Sequence, residues 1–403
     1  MSQPLSEQTI ALVKATVPAL EAHGLAIVHE MYARLFQNPE IAALFNQSHH
    51  GDAGSQPRAL TGAILAYASN IENLAALAPA VERIAQKHVG LQILPEHYPY
   101  VADALLGAIK AVLDDAATDE ILAAWGEAYW FLANILIARE DRLYSEQQSA
   151  DGGWSGWREF KVVEVVPESA VITSFILCPA DGLPVMAYKP GQYLTFWFDI
   201  PGHPSVKRNY SISAAPNGET YRISVKREPQ GLASGWLHDT AGVGSRLKVA
   251  APAGEFFLDD TSERPVVLLS GGVGLTPMVA MLEALVAKGG TAPIHYVHGT
   301  HDRTTHAMRD HVQALAASAG LVSVTDFHQH PLGDEVAGRD YDIAGIITDE
   351  WLVANTPIAE ADYYICGPRA FLRHAVATLS QAGVAASRIH YEFFGPADEL
   401  LAA

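Results

Sequence analysis

Three segments of this chain hold residues whose types and spacing suit work on bound anions or a metal. Leu268-Leu269-Ser270-Gly271-Gly272-Val273-Gly274-Leu275-Thr276-Pro277-Met278 reads as strand, glycine turn and helix. Its glycines let the backbone approach a ligand, and the positive end of a helix dipole suits a phosphate. Arg208-Asn209-Tyr210-Ser211 offers a guanidinium for a pyrophosphate beside two hydroxyls. His88 closes the run Val81-Glu82-Arg83-Ile84-Ala85-Gln86-Lys87-His88, in which Val81, Ile84, Ala85 and His88 share one helical face. An imidazole on an apolar stripe can ligate a metal. One of 17 histidines would by itself read as a core or surface residue, so its context has to decide.

Positioning these groups takes three kinds of element. From about residue 5 to 145 the apolar pattern is helical. Leu60, Ala63, Ile64, Tyr67, Ala68 and Ile71 recur at spacings of three and four, as do Ile121, Trp125, Ala128, Leu132 and Ile135. Asn38-Pro39-Glu40 predicts a helix start, with a capping Asn and Pro in the first turn. Gln147-Gln148-Ser149-Ala150-Asp151-Gly152-Gly153 is a polar linker. Beyond it the period becomes two, over Lys161–Val166, Val171–Leu177, Tyr193–Asp199, Tyr210–Ser213, Tyr221–Arg227 and Leu247–Ala250. These short runs predict an antiparallel barrel. From about residue 264 strands and helices alternate, at Pro265–Ser270, Thr276–Ala287, Ile294–Gly299, about 306–318, Asp362–Cys366 and Arg369–Leu379. That alternation predicts a parallel α/β sheet. The expected domains are 1–147, 152–262 and 263–403.

The helical part resembles the globin fold in the order of its residues. Tyr32 sits on one helix, Phe45 ends the run Ile41-Ala42-Ala43-Leu44-Phe45-Asn46, and Gln56 and Leu60 stand 32 and 28 positions before His88. By that resemblance the bound group is haem b. His88 would ligate its iron, Phe45 and Leu60 would line the porphyrin, and Tyr32 and Gln56 would face bound O₂. Pro57 places Gln56 at the very start of its helix. Tyr98 and Glu140 match a Tyr and a Glu that hydrogen-bond the proximal His in bacterial globins of this type. A carboxylate there raises imidazole basicity and pushes electron density toward iron. Read from its neighbours alone, Glu140 is equally a solvated charge beside Arg139.

The later segments resemble ferredoxin-reductase-type modules. Arg208-Asn209-Tyr210-Ser211 is similar to their R-x-Y-S motif, with Asn209 where relatives often carry Gln. The resemblance implies FAD, with Arg208 on its pyrophosphate and Tyr210 and Ser211 on the isoalloxazine. Tyr188-Lys189-Pro190-Gly191-Gln192-Tyr193 resembles the family's P-G-Q-Y strand start and adds Tyr188. Lys226, in Tyr221–Arg227, and Ser234, after the glycine turn at Gly231, complete the expected FAD contacts. The Gly271–Met278 segment lacks G-x-G-x-x-G spacing. It resembles instead the G-G-x-G-x-T-P-M of the NAD(P)H domain, giving Gly271, Gly272, Val273, Gly274 and Thr276 as contacts. Cys366-Gly367-Pro368 matches that domain's C-G-P, placing Cys366 near the nicotinamide. His390-Tyr391-Glu392-Phe393-Phe394-Gly395-Pro396 resembles the closing H-Y-E-x-F-G-P, with Glu392 near hydride transfer and Phe393 and Phe394 at the flavin.

Globin, FAD barrel and NAD(P)H domain in this order resemble the flavohaemoglobin family of bacteria and fungi. The resemblance implies a nitric oxide dioxygenase: NAD(P)H reduces FAD, FAD reduces haem one electron at a time, and ferrous-O₂ haem oxidises NO to nitrate. A flavin belongs between a two-electron donor and a one-electron acceptor. Other readings are a haem/flavin reductase acting on peroxides or, without O₂, on NO; a haem gas sensor; and a plain reductase whose helical part binds no haem.

The resemblance implies small-molecule partners, O₂, NO and NAD(P)H, and composition leaves that reading open. A formal charge of −19 argues against nucleic acid and anionic membrane surfaces. Cys178 and Cys366 form no disulfide framework and no cysteine-based zinc site. No uninterrupted apolar stretch reaches the roughly 18 residues a membrane span needs. The first seven residues lack a secretion pattern. A cytoplasmic monomer is the expectation. No Arg or Lys cluster for a 2′-phosphate stands out, which favours NADH over NADPH.

Overall fold

A computed structural model describes residues 4–45 and 55–395. Asn46 and Pro396, which end two of the segments above, lie outside them, as do residues 1–3. The first 149 residues form helices α1 (Glu7–Ala15), α2 (Val17–Leu35), α3 (Pro39–Ala42), α4 (Ser55–Ser69), α5 (Ala78–Leu91), α6 (Tyr98–Leu113) and α7 (Asp119–Ser149). Local chemistry sets several starts. The Ser6 side chain accepts from Thr9 N, and the Asn38 side chain accepts from the backbone of Glu40 and Ile41.

Two apolar clusters hold the bundle. In one, Ile27, Val28, Met31 and Leu35 of α2 meet Leu105, Ala108 and Ile109 of α6 and Trp125 of α7. In the other, Ala85 and Val89 of α5 meet Tyr98, Ala133, Leu136 and Leu143. Tyr129 and Leu132 pack against both clusters. One expectation changes here. Helix α7 is long and apolar enough, by length and composition alone, to cross a bilayer. An uninterrupted apolar run was the wrong criterion, because a window averages over a few charges. In the fold α7 packs against α1, α5 and α6.

The second region begins with strands β1 (Arg158–Pro167), β2 (Ile172–Pro179), β3 (Tyr193–Ile200), β4 (His203–Ser211), β5 (Tyr221–Lys226) and β6 (Arg246–Val249), with α8 (Leu232–Thr240) before β6. They form an antiparallel sheet in the order β4-β3-β6-β1-β2-β5. Beyond the end of β4, Ile212 bridges Ile223 of β5, which brings the two edges of the sheet together as a barrel. Strand β4 starts at His203, well before the expected Tyr210. A Pro201-Gly202 turn, with Gly202 at φ 77°, folds it back from β3, and its polar first half hid the alternation.

The rest is a parallel α/β sheet. Its strands are β7 (Val266–Gly271), β8 (Ile294–Thr300), β9 (Val322–His328), β10 (Ile343–Ala344), β11 (Asp362–Cys366) and β12 (Ile389–Glu392), in the order β10-β9-β8-β7-β11-β12. Helices α9 (Leu275–Lys288), α10 (Arg309–Ala319), α11 (Asp349–Asn355) and α12 (Arg369–Gln381) connect them. Strands β9, β10 and β12 and helix α11 were not anticipated. From β7 the chain builds outward through β8, β9 and β10, then returns to the other flank as β11. The strand order therefore reverses between β7 and β11, where open α/β sheets bind ligands. The chain divides into two compact units. One is the helical region with Pro201–Lys207; the other is residues 150–200 and 208–395, which carries both sheets apart from the first half of β4.

Candidate functional site

The helical unit builds a polar triad inside apolar packing. His88, near the end of α5, places Nδ1 2.7 Å from Glu140 Oε1 and 3.1 Å from the Tyr98 hydroxyl. Tyr98 donates to the same carboxylate oxygen at 2.6 Å. Glu140 is 2 % exposed, which settles its two readings: it is no solvated helix-end charge. Arg139 turns away and pairs with Glu82 at 2.7 Å. Burial and the neighbouring Glu140 charge push the Tyr98 phenol far above its usual range, so it stays a donor. The hydroxyl of Tyr129 holds Tyr98 in place through its carbonyl, at 2.7 Å. With Nδ1–H committed to a carboxylate, the tautomer is fixed and Nε2 makes no hydrogen bond among the described residues. That nitrogen is the one a metal could use.

A second group sits in the other cluster. The Tyr32 ring stacks on Phe36 at 5.4 Å and meets Phe45 edge-on at 5.7 Å, and Leu60 and Ile64 pack in the same cluster. Burial pushes the Tyr32 phenol up to about 12, so it is a protonated donor near neutral pH. Gln56 is the second residue of α4, as Pro57 requires, and its buried Oε1 has no hydrogen-bond partner among the described residues. An apolar wall with an unsatisfied polar atom and an imidazole nitrogen to spare fits a haem.

In the barrel, Arg208–Ser211 forms the end of β4. Burial lowers the proton affinity of the Arg208 guanidinium, a setting that favours an anionic neighbour. Tyr210 meets Phe196 edge-on at 5.7 Å, Ser211 is buried, and Asn209 is exposed. Tyr188 is buried against Tyr221, and its hydroxyl donates to Ala214 O at 2.5 Å. It thus braces the segment just after the motif. Lys226 pairs with Glu228 at 2.9 Å on the surface. Ser234 Oγ accepts from Glu228 N and donates to Gly231 O, which ties down the start of α8. Sequence reasoning missed Tyr193 and Thr195. They share one face of β3, and both hydroxyls are buried with no hydrogen-bond partner among the described residues. The signal was a threonine two places from a tyrosine in a run otherwise read as apolar core. Orphaned hydroxyls on β3, the strand next to the one that carries Arg208, fit a polar ligand such as a flavin.

At the β7/β11 switch point the two glycine motifs interlock. A Cβ on Gly274 would lie 2.1 Å from Cys366 O and 2.7 Å from Gly367 N, so the turn needs glycine for close approach. A Cβ on Gly271 would lie 3.1 Å from Pro368, and Gly272 adopts φ 53° with open space before it. Thr276 donates to Val273 O at 3.1 Å and fixes the start of α9. Cys366 is fully buried, in register with Ser270 on one side and Glu392 on the other. Burial first, and Glu392 second, push its thiol well up, so it is no ready nucleophile. After β12, Phe393 is half-buried while Phe394 is 47 % exposed.

Comparison with known proteins adds the family. The globin family model matches residues 29–136, and the model described as an oxidoreductase NAD-binding domain matches residues 268–377. The chain is 54% identical over 404 residues to a flavohemoprotein of Xylella fastidiosa, with 100% of both covered. A flavohemoprotein of Rhizobium meliloti is 46% identical over 402 residues, covering 97% of this chain and 98% of that one. Among solved structures, the flavohemoglobin of Malassezia yamatoensis with bound FAD and heme superposes with a TM-score of 0.87 at 27% identity, over 98% of this chain and 100% of that one. The FAD/NAD-binding domain of a nitric oxide dioxygenase from Vibrio cholerae gives a TM-score of 0.54 at 39% identity, over 59% of this chain and 99% of that one. Similarity of this degree, end to end, places the chain in the flavohemoprotein family.

Proposed function

We propose that this flavohemoprotein is a nitric oxide dioxygenase that uses NAD(P)H, with a preference for NADH, and holds FAD and haem b. The observation that carries the reading is the buried Glu140 carboxylate on His88 Nδ1, an arrangement that favours activating O₂ over carrying it. The solved relative with FAD and heme and the Vibrio cholerae domain's name support it. When bound, FAD splits a hydride into single electrons and haem iron activates O₂. The chain's own residues do the rest. His88 offers Nε2 to iron while Tyr98 and Glu140 hold its other nitrogen. Tyr32 supplies a phenol that stays protonated, and the Gly271–Gly274 turn seats the dinucleotide phosphates.

The test follows NO, O₂ and NAD(P)H together in the purified holoprotein. Nitrate should form only with O₂ present, with one NAD(P)H oxidised for every two NO. Peroxide consumed faster than NO would favour the peroxide reductase instead.

Two substitutions check the haem site. Tyr32→Phe removes the donor and should speed O₂ dissociation about tenfold in stopped-flow; an unchanged off-rate would remove Tyr32 from the role. Glu140→Gln keeps size but loses the charge, and haem affinity should fall roughly 10–100-fold. Haem transfer to an acceptor apoprotein measures that, and wild-type transfer kinetics would count against the triad.

A further inference from the structure

Helix α9 begins at the glycine turn and is pinned to the barrel by one carboxylate that no sequence motif singled out. Glu283, on α9, is 16% exposed at its side chain. Its Oε1 accepts from Arg222 Nη2 on β5 at 2.7 Å and lies 2.7 Å from His311 Nε2 on α10. Its Oε2 accepts from Ala215 N, also at 2.7 Å. Burial opposes its ionisation, but His311, Arg222 and the Ala215 amide outweigh that and hold the carboxyl below its usual range.

The partners matter because of where they sit. Ala215 lies four residues after Ser211, and Ser213 and Ala214 between them are fixed as well. Ser213 N donates to Arg222 O at 2.8 Å, Arg222 Nη2 donates to Ser213 O, and Tyr188 donates to Ala214 O. Around this pin the contact is apolar. Met278, Met281 and Leu282 of α9 pack in one cluster with Ile172, Phe256 and Leu258 from the barrel side. Apolar packing is non-directional and sets a face without setting a register. A buried charge with three directed hydrogen bonds does set a register.

We propose that Glu283 is a positioning residue for hydride transfer: it locks the nucleotide-binding helix to the strand end that follows the flavin motif, and so fixes the distance between nicotinamide and flavin. The inference rests on the reductase reading above. Hydride transfer tolerates little misplacement; a shift of about 1 Å can cost roughly a hundredfold in rate.

The experiment is anaerobic stopped-flow reduction of the bound flavin by NADH in the full-length holoprotein. Glu283→Ala should lower the limiting rate at saturating NADH by about tenfold to a hundredfold. FAD content, haem spectrum and the NADH concentration for half-saturation should change less than threefold. The deuterium isotope effect from 4-deuterated NADH should rise, because the transfer itself becomes limiting. Glu283→Gln keeps the shape, but its single amide oxygen can accept from Ala215 N or from Arg222 and not from both, so its limiting rate should lie between those of wild type and Glu283→Ala, about threefold to tenfold below wild type. A limiting rate in Glu283→Ala equal to wild type would overturn the proposal. So would FAD loss or a lower melting temperature with an unchanged rate per bound flavin, since that is what a purely structural residue gives. Should Glu283→Ala fail to fold, Glu283→Gln with an unchanged rate and isotope effect, together with Arg222→Lys at the wild-type rate, would overturn it equally. Wild-type protein whose flavin stays oxidised under both NADH and NADPH would instead overturn the reductase reading itself.

Discussion

Replacing His88 by alanine is expected to leave a protein that cannot retain haem. The Soret absorbance should fall to the level of free haem after gel filtration, while FAD absorbance and NADH-driven flavin reduction persist. The His88 Nδ1 is held by Glu140 at 2.7 Å and Tyr98 at 3.1 Å, so one nitrogen is oriented and the other could ligate a metal. The variant also strips the buried Glu140 carboxylate of one partner, and leaving a buried charge short of hydrogen bonds costs about 1–3 kcal/mol or more. Loss of haem removes a further stabilising ligand, roughly 4 kcal/mol at a thousandfold excess over its Kd. The variant's melting temperature should therefore drop as well. A full Soret band in His88→Ala would exclude His88 as the ligand, whatever the stability result.

Gly274→Ala should have the second largest effect, at the opposite end of the electron path. The added methyl would sit 2.1 Å from Cys366 O and 2.7 Å from Gly367 N, both backbone atoms with little freedom to yield. The β7 turn must then separate from the β11 end, and the crevice at the switch point widens. Overpacking of this kind costs about 1–3 kcal/mol. A displacement near 1 Å at the nucleotide seat should lower kcat/KM for NADH about a hundredfold. Haem and FAD should remain, and reduction by dithionite should be normal, which separates this variant from a misfolded one. An unaltered kcat/KM would mean that the two glycine motifs do not jointly hold the nucleotide.

The sequence exposed what is local and hid what is distant. Helical and two-residue periods, the Asn38 cap and the glycine turn at Gly271–Gly274 are properties of short windows, and apart from the early start of β4 the fold has them where expected. The triad was legible only in part. That Val81, Ile84, Ala85 and His88 share a helical face follows from periodicity, but whether Glu140 faces water or the interior depends on how α7 lies against α5. No window of sequence carries that. Tyr193 and Thr195 were missed for the same reason, since an alternating strand says which residues share a face and not what that face meets. Strand β9 and helix α11 lay in a stretch with weaker patterning, and β12 was read as a motif and not as a strand. Glu283 lies in an ordinary amphipathic helix, and its three partners come from β5, α10 and the loop after β4.

The bridge between Ile212 and Ile223 gives the barrel a seam, and the Arg208–Ser211 strand end runs directly into it. A ligand seated along that strand would join two edges that the backbone ladder joins sparingly. Its binding free energy would then be stored as closure of the sheet, by mass action on the closed form. Flavin occupancy and the integrity of the cylinder would become one equilibrium, so protein stripped of flavin should be cut by proteases at this seam sooner than the holoprotein.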